Sequence, residues 1–140
     1  MLTAADIMTE ALVTIRPESS IEEAIELLLS HGISGLPVTD DEGHLVGVIT
    51  EFALLAVVYD QRVKDHTVAE HMTRNVITVN YDDPMRRAAD LCIVNRVRRL
   101  PVMKNGRLVG LIARRDVLRA LHESAVCAGD SAGCMSDTSA

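Results

Sequence analysis

The sequence predicts an α/β (α+β) fold built from two copies of a β-α-β-β-α unit. Three observations carry this. First, the chain repeats itself. Thr3-Ala4-Ala5-Asp6-Ile7-Met8-Thr9 parallels Thr67-Val68-Ala69-Glu70-His71-Met72-Thr73, Val13-Thr14-Ile15 parallels Ile77-Thr78-Val79, and Leu36-Pro37-Val38 parallels Leu100-Pro101-Val102, all at a spacing of 64 residues. One residue is then lost in a turn, and residues 43–49 parallel residues 106–112 at a spacing of 63. Second, β-branched runs alternate with segments of helical periodicity in both copies. Third, 48% of the 140 residues are hydrophobic while 2% are aromatic and none is Trp, so the core must be aliphatic. A chain of this length predicts one domain, large enough to bury about two thirds of its unfolded surface.

Each copy opens on a short helical turn, around residues 6–8 and 68–72, followed by a strand over 12–15 or 76–79. A helix comes next. In copy 1, Ser20 suits an N-cap, and Glu22 and Glu23 suit the positive end of the helix dipole. Ile21, Ala24, Ile25, Leu28 and Leu29 form its apolar face, and Gly32 suits a left-handed C-terminal residue. In copy 2, Pro84 is expected at the first helical position. Met85, Ala88, Ala89, Cys92 and Ile93 form that face. Two strands follow, 36–39 and 45–50, joined by Asp40-Asp41-Glu42-Gly43. Their counterparts are joined by Lys104-Asn105-Gly106, where Asn-Gly signals a hairpin. Closing helices run over 51–59 and 114–123. The expected boundaries are 1–62 for repeat 1, 63–66 for a linker, 67–123 for repeat 2 and 124–140 for a disordered tail, which is small, polar and aperiodic.

The formal net charge of −6 hides a division. Residues 1–66 carry 3 basic and 12 acidic side chains, residues 67–123 carry 11 basic and 6 acidic, and the tail carries only Asp130 and Asp137. The basic side chains of repeat 2 are nearly all arginine, whose planar fork suits carboxylates and phosphates. Three readings fit: a solvated basic face, an anion site, or docking against the acidic half of a second copy. The overall acidity disfavours non-specific nucleic-acid binding, and the shortage of rings disfavours a base-stacking platform. No apolar run approaches the roughly 20 residues of a membrane span. The N-terminal residues lack the pattern of a signal peptide, so a cytoplasmic location is expected.

Reactive chemistry is sparse. The five histidines (His31, His44, His66, His71, His122) make no metal constellation, because His66 and His71 are five apart without a Cys or carboxylate at a recognised ligand spacing. No metal is expected. Cys92 belongs to an apolar helix face, and Cys127 and Cys134 lie in the tail. The glycines are scattered at turns and form no phosphate-cradling loop. Asp40-Asp41 and Asp82-Asp83 read as turn chemistry. No nucleophile or acid–base set points to an enzyme.

The duplicated Asp6-Ile7-Met8-Thr9 leader, the two Leu-Pro-Val strand starts, and the closing runs Gly47-Val48-Ile49-Thr50-Glu51-Phe52-Ala53-Leu54 and Gly110-Leu111-Ile112-Ala113-Arg114-Arg115-Asp116-Val117 resemble a tandem pair of cystathionine-β-synthase (CBS) domains, a Bateman module. The resemblance covers about residues 3–123. It implies a regulatory, non-catalytic module whose repeats pack with pseudo-two-fold symmetry, whose clefts hold adenine nucleotides or related ligands, and which commonly dimerises. In that family the closing run ends in Thr or Ser, followed three residues later by Asp. The hydroxyl contacts phosphate, and the Asp accepts hydrogen bonds from the ribose. A carboxylate can take both protons of a vicinal diol.

This chain departs from that pattern in both repeats. Repeat 1 keeps Thr50 but has Ala53 in place of the Asp. Repeat 2 keeps Asp116 but has Ala113 in place of the Thr. The resemblance therefore implies one ligand cleft using Asp116 and Ala113, with Arg114, Arg115, Arg98 or Arg99 offsetting the lost hydroxyl, and with the base near Ile15, Arg16, Ile33, Ser34 and Gly35. The second cleft, around Thr50, Ala53, Thr78, Val79 and Val97, is expected to be degenerate. Asp116 and Thr50 also suit plain helix caps. The functional expectation is a module that senses an adenosine-type nucleotide (AMP, ADP, ATP or S-adenosylmethionine), needs no other cofactor, forms a homodimer and acts on an unidentified regulated partner. The alternatives are a ligand-free dimerisation module and nucleic-acid binding through the repeat 2 arginines.

Overall fold

The computed structural model describes residues 2–60 and 65–128. Six helices and five strands are described: α1 (Ala4–Ile7), α2 (Ile21–His31), β1 (Gly35–Thr39), β2 (Leu45–Thr50), α3 (Glu51–Tyr59), α4 (Val68–His71), β3 (Val79–Asn80), α5 (Met85–Asn95), β4 (Arg99–Lys104), β5 (Arg107–Ala113) and α6 (Arg114–Ala128). The mixed α/β class and the two repeats are as expected. β1 and β2 form an antiparallel two-stranded sheet, and β3, β4 and β5 form a three-stranded sheet.

The packed units are not cut where the repeats are. Unit 2 comprises residues 11–77 with 103–109, and unit 1 comprises residues 1–10, 78–102 and 110–140. Each repeat therefore lends its leading segment to the unit built mainly from the other repeat. In unit 1, the leader is fastened by Ala4 N–H to Asp83 O at 2.8 Å, Met85 N–H to Leu2 O at 2.9 Å, and Thr9 N–H to Leu111 O at 2.8 Å. Unit 2 repeats this at equivalent positions: Val68 N–H donates to Ser19 O at 2.8 Å, Ile21 N–H to His66 O at 3.3 Å, and Thr73 N–H to Val48 O at 2.8 Å.

Both cores are aliphatic. Unit 2 buries Ile15, Ile21, Ala24, Leu28, Leu36, Val38, Ile49, Leu54, Val57 and Val68. Unit 1 buries Ala4, Val79, Ala88, Ala89, Cys92, Leu100, Val102, Ile112, Val117 and Ala120. α2 starts where Ser20 Oγ accepts from Glu23 N–H at 3.1 Å, and ends where Gly32 turns left-handed at φ 62°. Arg96 takes the same left-handed conformation at the end of α5, at φ 54°. Asn105 and Gly106, both with positive φ, make the two-residue turn between β4 and β5.

Several elements differ from expectation. The strand over 12–15 reduces to a single bridge, Ile15 to Val38. Thr9 is bonded in unit 1 and Ile15 in unit 2, so the residues between them connect the units and make no ladder. The strand over 76–79 shrinks to β3 for the same reason. Pro84 is the N-cap of α5 and Met85 its first residue. Leu29 and Ile93, expected on buried faces, are 77% and 72% exposed. α6 runs five residues beyond Glu123, into the stretch expected to be tail. The expected linker falls partly on 61–64, and the rest of the tail, with Cys134, on 129–140; both lie outside the described residues.

Candidate functional site

In unit 1, several of the residues expected to meet a ligand lie at the junction of β5 with α6. Arg114 N–H donates to Arg98 O at 2.7 Å, which fixes the start of β4 beside the first residue of α6. Asp116, in the first turn of α6, points back. Its Oδ2 accepts from Ala113 N–H at 3.4 Å, and its Oδ1 faces Arg119 at 3.3 Å. This is one half of a capping box, in which the third helical residue satisfies the backbone of the cap. Ala113 has no hydroxyl for the reciprocal half.

Arg98, Arg99, Arg114 and Arg115 are all exposed around this helix end. A helix N-terminus already carries partial positive charge and unpaired N–H groups. Cations placed there are unfavourable unless an anion joins them. The equivalent positions in repeat 1 are Ser34, Gly35, Glu51 and Phe52, none of them basic. Thr78 is half-buried, Val79 is buried in the core and Val97 is half-buried.

In unit 2, the junction of β2 with α3 repeats the geometry without the charges. Glu51 N–H donates to Ser34 O at 2.9 Å. Thr50 Oγ1 accepts from Ala53 N–H at 3.3 Å, the other half of the capping box. Ile15 is held beside β1, its N–H donating to Pro37 O at 3.1 Å, and its side chain belongs to the core. Ile33 N–H closes the end of α2 on Leu28 O at 3.1 Å. The Arg16 guanidinium pairs with Glu18 at 3.0 Å and with Asp41, while its buried Nε has no hydrogen-bond partner among the described residues. Its charge is thus already used by its own unit.

Unit 1 therefore brings Arg98, Ala113, Arg114 and Asp116 together, and unit 2 brings Ser34, Thr50 and Ala53 together. Cys92 is buried, and desolvation pushes its thiol above the usual range, opposed in part by the Arg114 charge. That is the behaviour of a core residue. Two histidines differ from expectation. His66 Nδ1 lies 2.9 Å from His71 Nε2 and 3.0 Å from Glu70 Oε2, in a cluster the spacing alone did not reveal. The available signal was the repeat: the equivalent positions in repeat 1 are Leu2, Asp6 and Ile7. Among the described residues, no helix is long and apolar enough to cross a membrane.

A family model for the CBS domain matches residues 4–60 and 67–123. The crystal structure of CBSX2 from Arabidopsis thaliana in complex with AMP is similar, with a TM-score of 0.79 and 32% identity over 88% of this chain and 98% of that one. The CBS domain pair of protein MJ0100, solved with 5′-methylthioadenosine and S-adenosyl-L-methionine, gives a TM-score of 0.76 and 30% identity over 89% and 98% of the two chains. The inosine-5′-monophosphate dehydrogenase of Methanocaldococcus jannaschii is 35% identical over 117 residues, which are 83% of this chain, but this chain spans only 23% of that enzyme. Both repeats match the family model, and solved CBS pairs share the fold over nearly the whole chain, so the chain belongs to the CBS-domain family as a tandem pair of CBS domains.

Proposed function

We propose that the chain is a non-catalytic regulatory module that binds an adenosine-type nucleotide. The observation that carries this reading is the α6 N-terminus. There, exposed arginines surround a helix end that favours anions, beside a carboxylate able to accept from ribose hydroxyls. Asp116 takes the sugar, its Oδ atoms exchanging Arg119 for the diol. Arg98, Arg114 and Arg115 take the phosphate in place of the hydroxyl that Ala113 lacks. CBS pairs solved with AMP or with S-adenosylmethionine support the ligand class. Occupancy acts by linkage: a ligand that prefers one conformation shifts a partner's equilibrium by about 1–3 kcal/mol.

Thermal-shift titrations with AMP, ADP, ATP and S-adenosylmethionine test this. Ligand at a hundred times its Kd stabilises by about 2.7 kcal/mol. Asp116→Ala also removes a cap, so the informative quantity is the ligand-induced shift, which should vanish in that variant. No shift with any of the four, or an unchanged shift in Asp116→Ala, sinks the proposal.

A second observation favours self-association. Leu29 and Ile93, Leu55 and Leu118, and Val58 and Leu121 are equivalent pairs across the repeats, and all six side chains are exposed. α3 also exposes Phe52 and Tyr59, so it is apolar on its outer face as well as its inner one. A helix apolar all round is ordinarily buried. We propose that these faces are covered by a second copy of the chain.

A further inference from the structure

We propose that His66, Glu70 and His71 form a binding site for a borderline divalent transition metal, zinc foremost. All three donors sit on one short stretch of unit 2, and their ligating atoms lie within 4.8 Å of one another. His66 Nδ1 is the pivot, 2.9 Å from His71 Nε2 and 3.0 Å from Glu70 Oε2. Zinc bonds of about 2.0–2.1 Å in a tetrahedral site put ligand atoms about 3.3 Å apart. To admit the ion, the two separations from His66 Nδ1 open by a few tenths of an ångström, and the His71 and Glu70 donors, which lie within 4.8 Å of each other, turn to the same spacing.

The stretch is held in place. His66 O accepts from Ile21 N–H at 3.3 Å and Ala69 N–H donates to Pro17 O at 2.8 Å, which anchors the N-terminal end of α4, while Thr73 N–H donates to Val48 O at 2.8 Å beyond its C-terminal end. The Thr67 hydroxyl donates to Glu70 Oε1 at 3.4 Å. That bond holds one carboxylate oxygen and leaves Oε2 toward His66, the kind of outer partner that orients a metal-ligating carboxylate. The imidazoles are stacked, with centroids 5.1 Å apart and planes 18° from parallel. Two ring nitrogens at 2.9 Å need a proton between them, and a metal ion replaces that proton.

The donor set is two imidazoles and a carboxylate, which suits zinc, copper and nickel rather than calcium or magnesium. Three protein ligands leave a fourth position for water or a donor from another molecule. Repeat 1 serves as an internal control, because its leader has the same backbone turn but offers Leu2, Asp6 and Ile7. The site belongs to repeat 2's leader and is independent of the nucleotide reading.

The test is Zn²⁺ titration of the full chain by calorimetry, with Co²⁺ absorption as a second readout. The chain should carry Cys127→Ser and Cys134→Ser so that tail thiols cannot bind the metal. One ion per chain is expected, with the visible bands of tetrahedral cobalt. Affinity should fall in acid solution, because protons compete with the metal for its ligands. His66→Ala and His71→Ala should each abolish stoichiometric binding, and Glu70→Gln should weaken it. Circular dichroism of each variant checks that loss of binding is not loss of fold. No binding in the chain carrying Cys127→Ser and Cys134→Ser, or binding that survives both histidine substitutions, overturns the proposal.

Discussion

At the scale of single residues, the duplication supplies matched pairs that separate what backbone packing demands from what side chains can tolerate. Gly47 and Gly110 are one such pair. A Cβ on Gly47 would sit 2.7 Å from Thr73 O and 2.8 Å from Met72 Sδ. A Cβ on Gly110 would meet only the Met8 side chain among its nearest atoms. The Met8 Sδ and Cγ can swing away, and its Cβ, at 3.1 Å, has to give by only a few tenths of an ångström. A backbone carbonyl held by the Val48–Thr73 pairing cannot. Gly47→Ala should therefore cost about 1–3 kcal/mol, in the range of overpacked cores, and Gly110→Ala clearly less. Urea unfolding of the two variants checks this, and equal losses would refute it. The same pairing makes the site legible. Thr50 without its acid and Asp116 without its hydroxyl each keep one half of a capping box. The sequence revealed both vacancies, because they are single-residue departures at known positions in the repeat. The Arg16 ion pairs were not legible, because Asp41 reaches Arg16 only through tertiary placement.

At the scale of elements, helices were read better than strands. α2 and α5 carry their signals locally, in caps and apolar spacing. Even there, Leu29 and Ile93 look like core in sequence yet face outward, since periodicity cannot say how wide the buried stripe is. The leading strands failed because a β-branched run reads the same in a ladder as in a connector between two units. Arg96 shows another limit: its left-handed conformation matches that of Gly32, yet no glycine marks it. The β1–β2 turn carries a pH prediction. Asp40 Oδ1 accepts from Glu42 N–H and His44 N–H, each at 2.9 Å. These bonds, the one from His44 first, hold the carboxyl below its usual range. A carboxylate with a lowered folded pKa contributes stability above its unfolded pKa and loses it as pH falls through the folded value. The Asp40 contribution should thus be complete above about pH 4 and fade in more acid solution. Melting temperatures of the parent chain and Asp40→Ala should differ at pH 6 and converge toward pH 2. A gap that widens in acid would reject this assignment.

At the scale of the whole molecule, two features are candidates to drive the proposed self-association, and they respond differently to salt. One is the charge division, with residues 1–66 acidic and residues 67–123 basic. The other is the set of apolar side chains exposed at equivalent positions of the two repeats. Attraction between exposed charges is screened over about 10 Å at 0.1 M salt and about 3 Å at 1 M. Burial of apolar surface is not screened, and excluded salts such as sulfate strengthen it. Leu55 and Leu118 are 69% and 68% exposed, so they contribute little to the fold of a single chain. An isolated protein has no reason to place large aliphatic side chains at matching exposed positions of both closing helices. Coverage by a second copy supplies one. Sedimentation velocity should therefore show a dimer that persists in 1 M salt, with charges setting the rate of encounter more than the affinity. Leu55→Asp combined with Leu118→Asp should yield a monomer that melts close to the parent temperature once dissociation of the parent is allowed for by dilution. A dimer that survives both substitutions but dissolves in salt would move the contact to the opposed charges, and a monomeric parent chain would reject coverage of the apolar faces by a second copy.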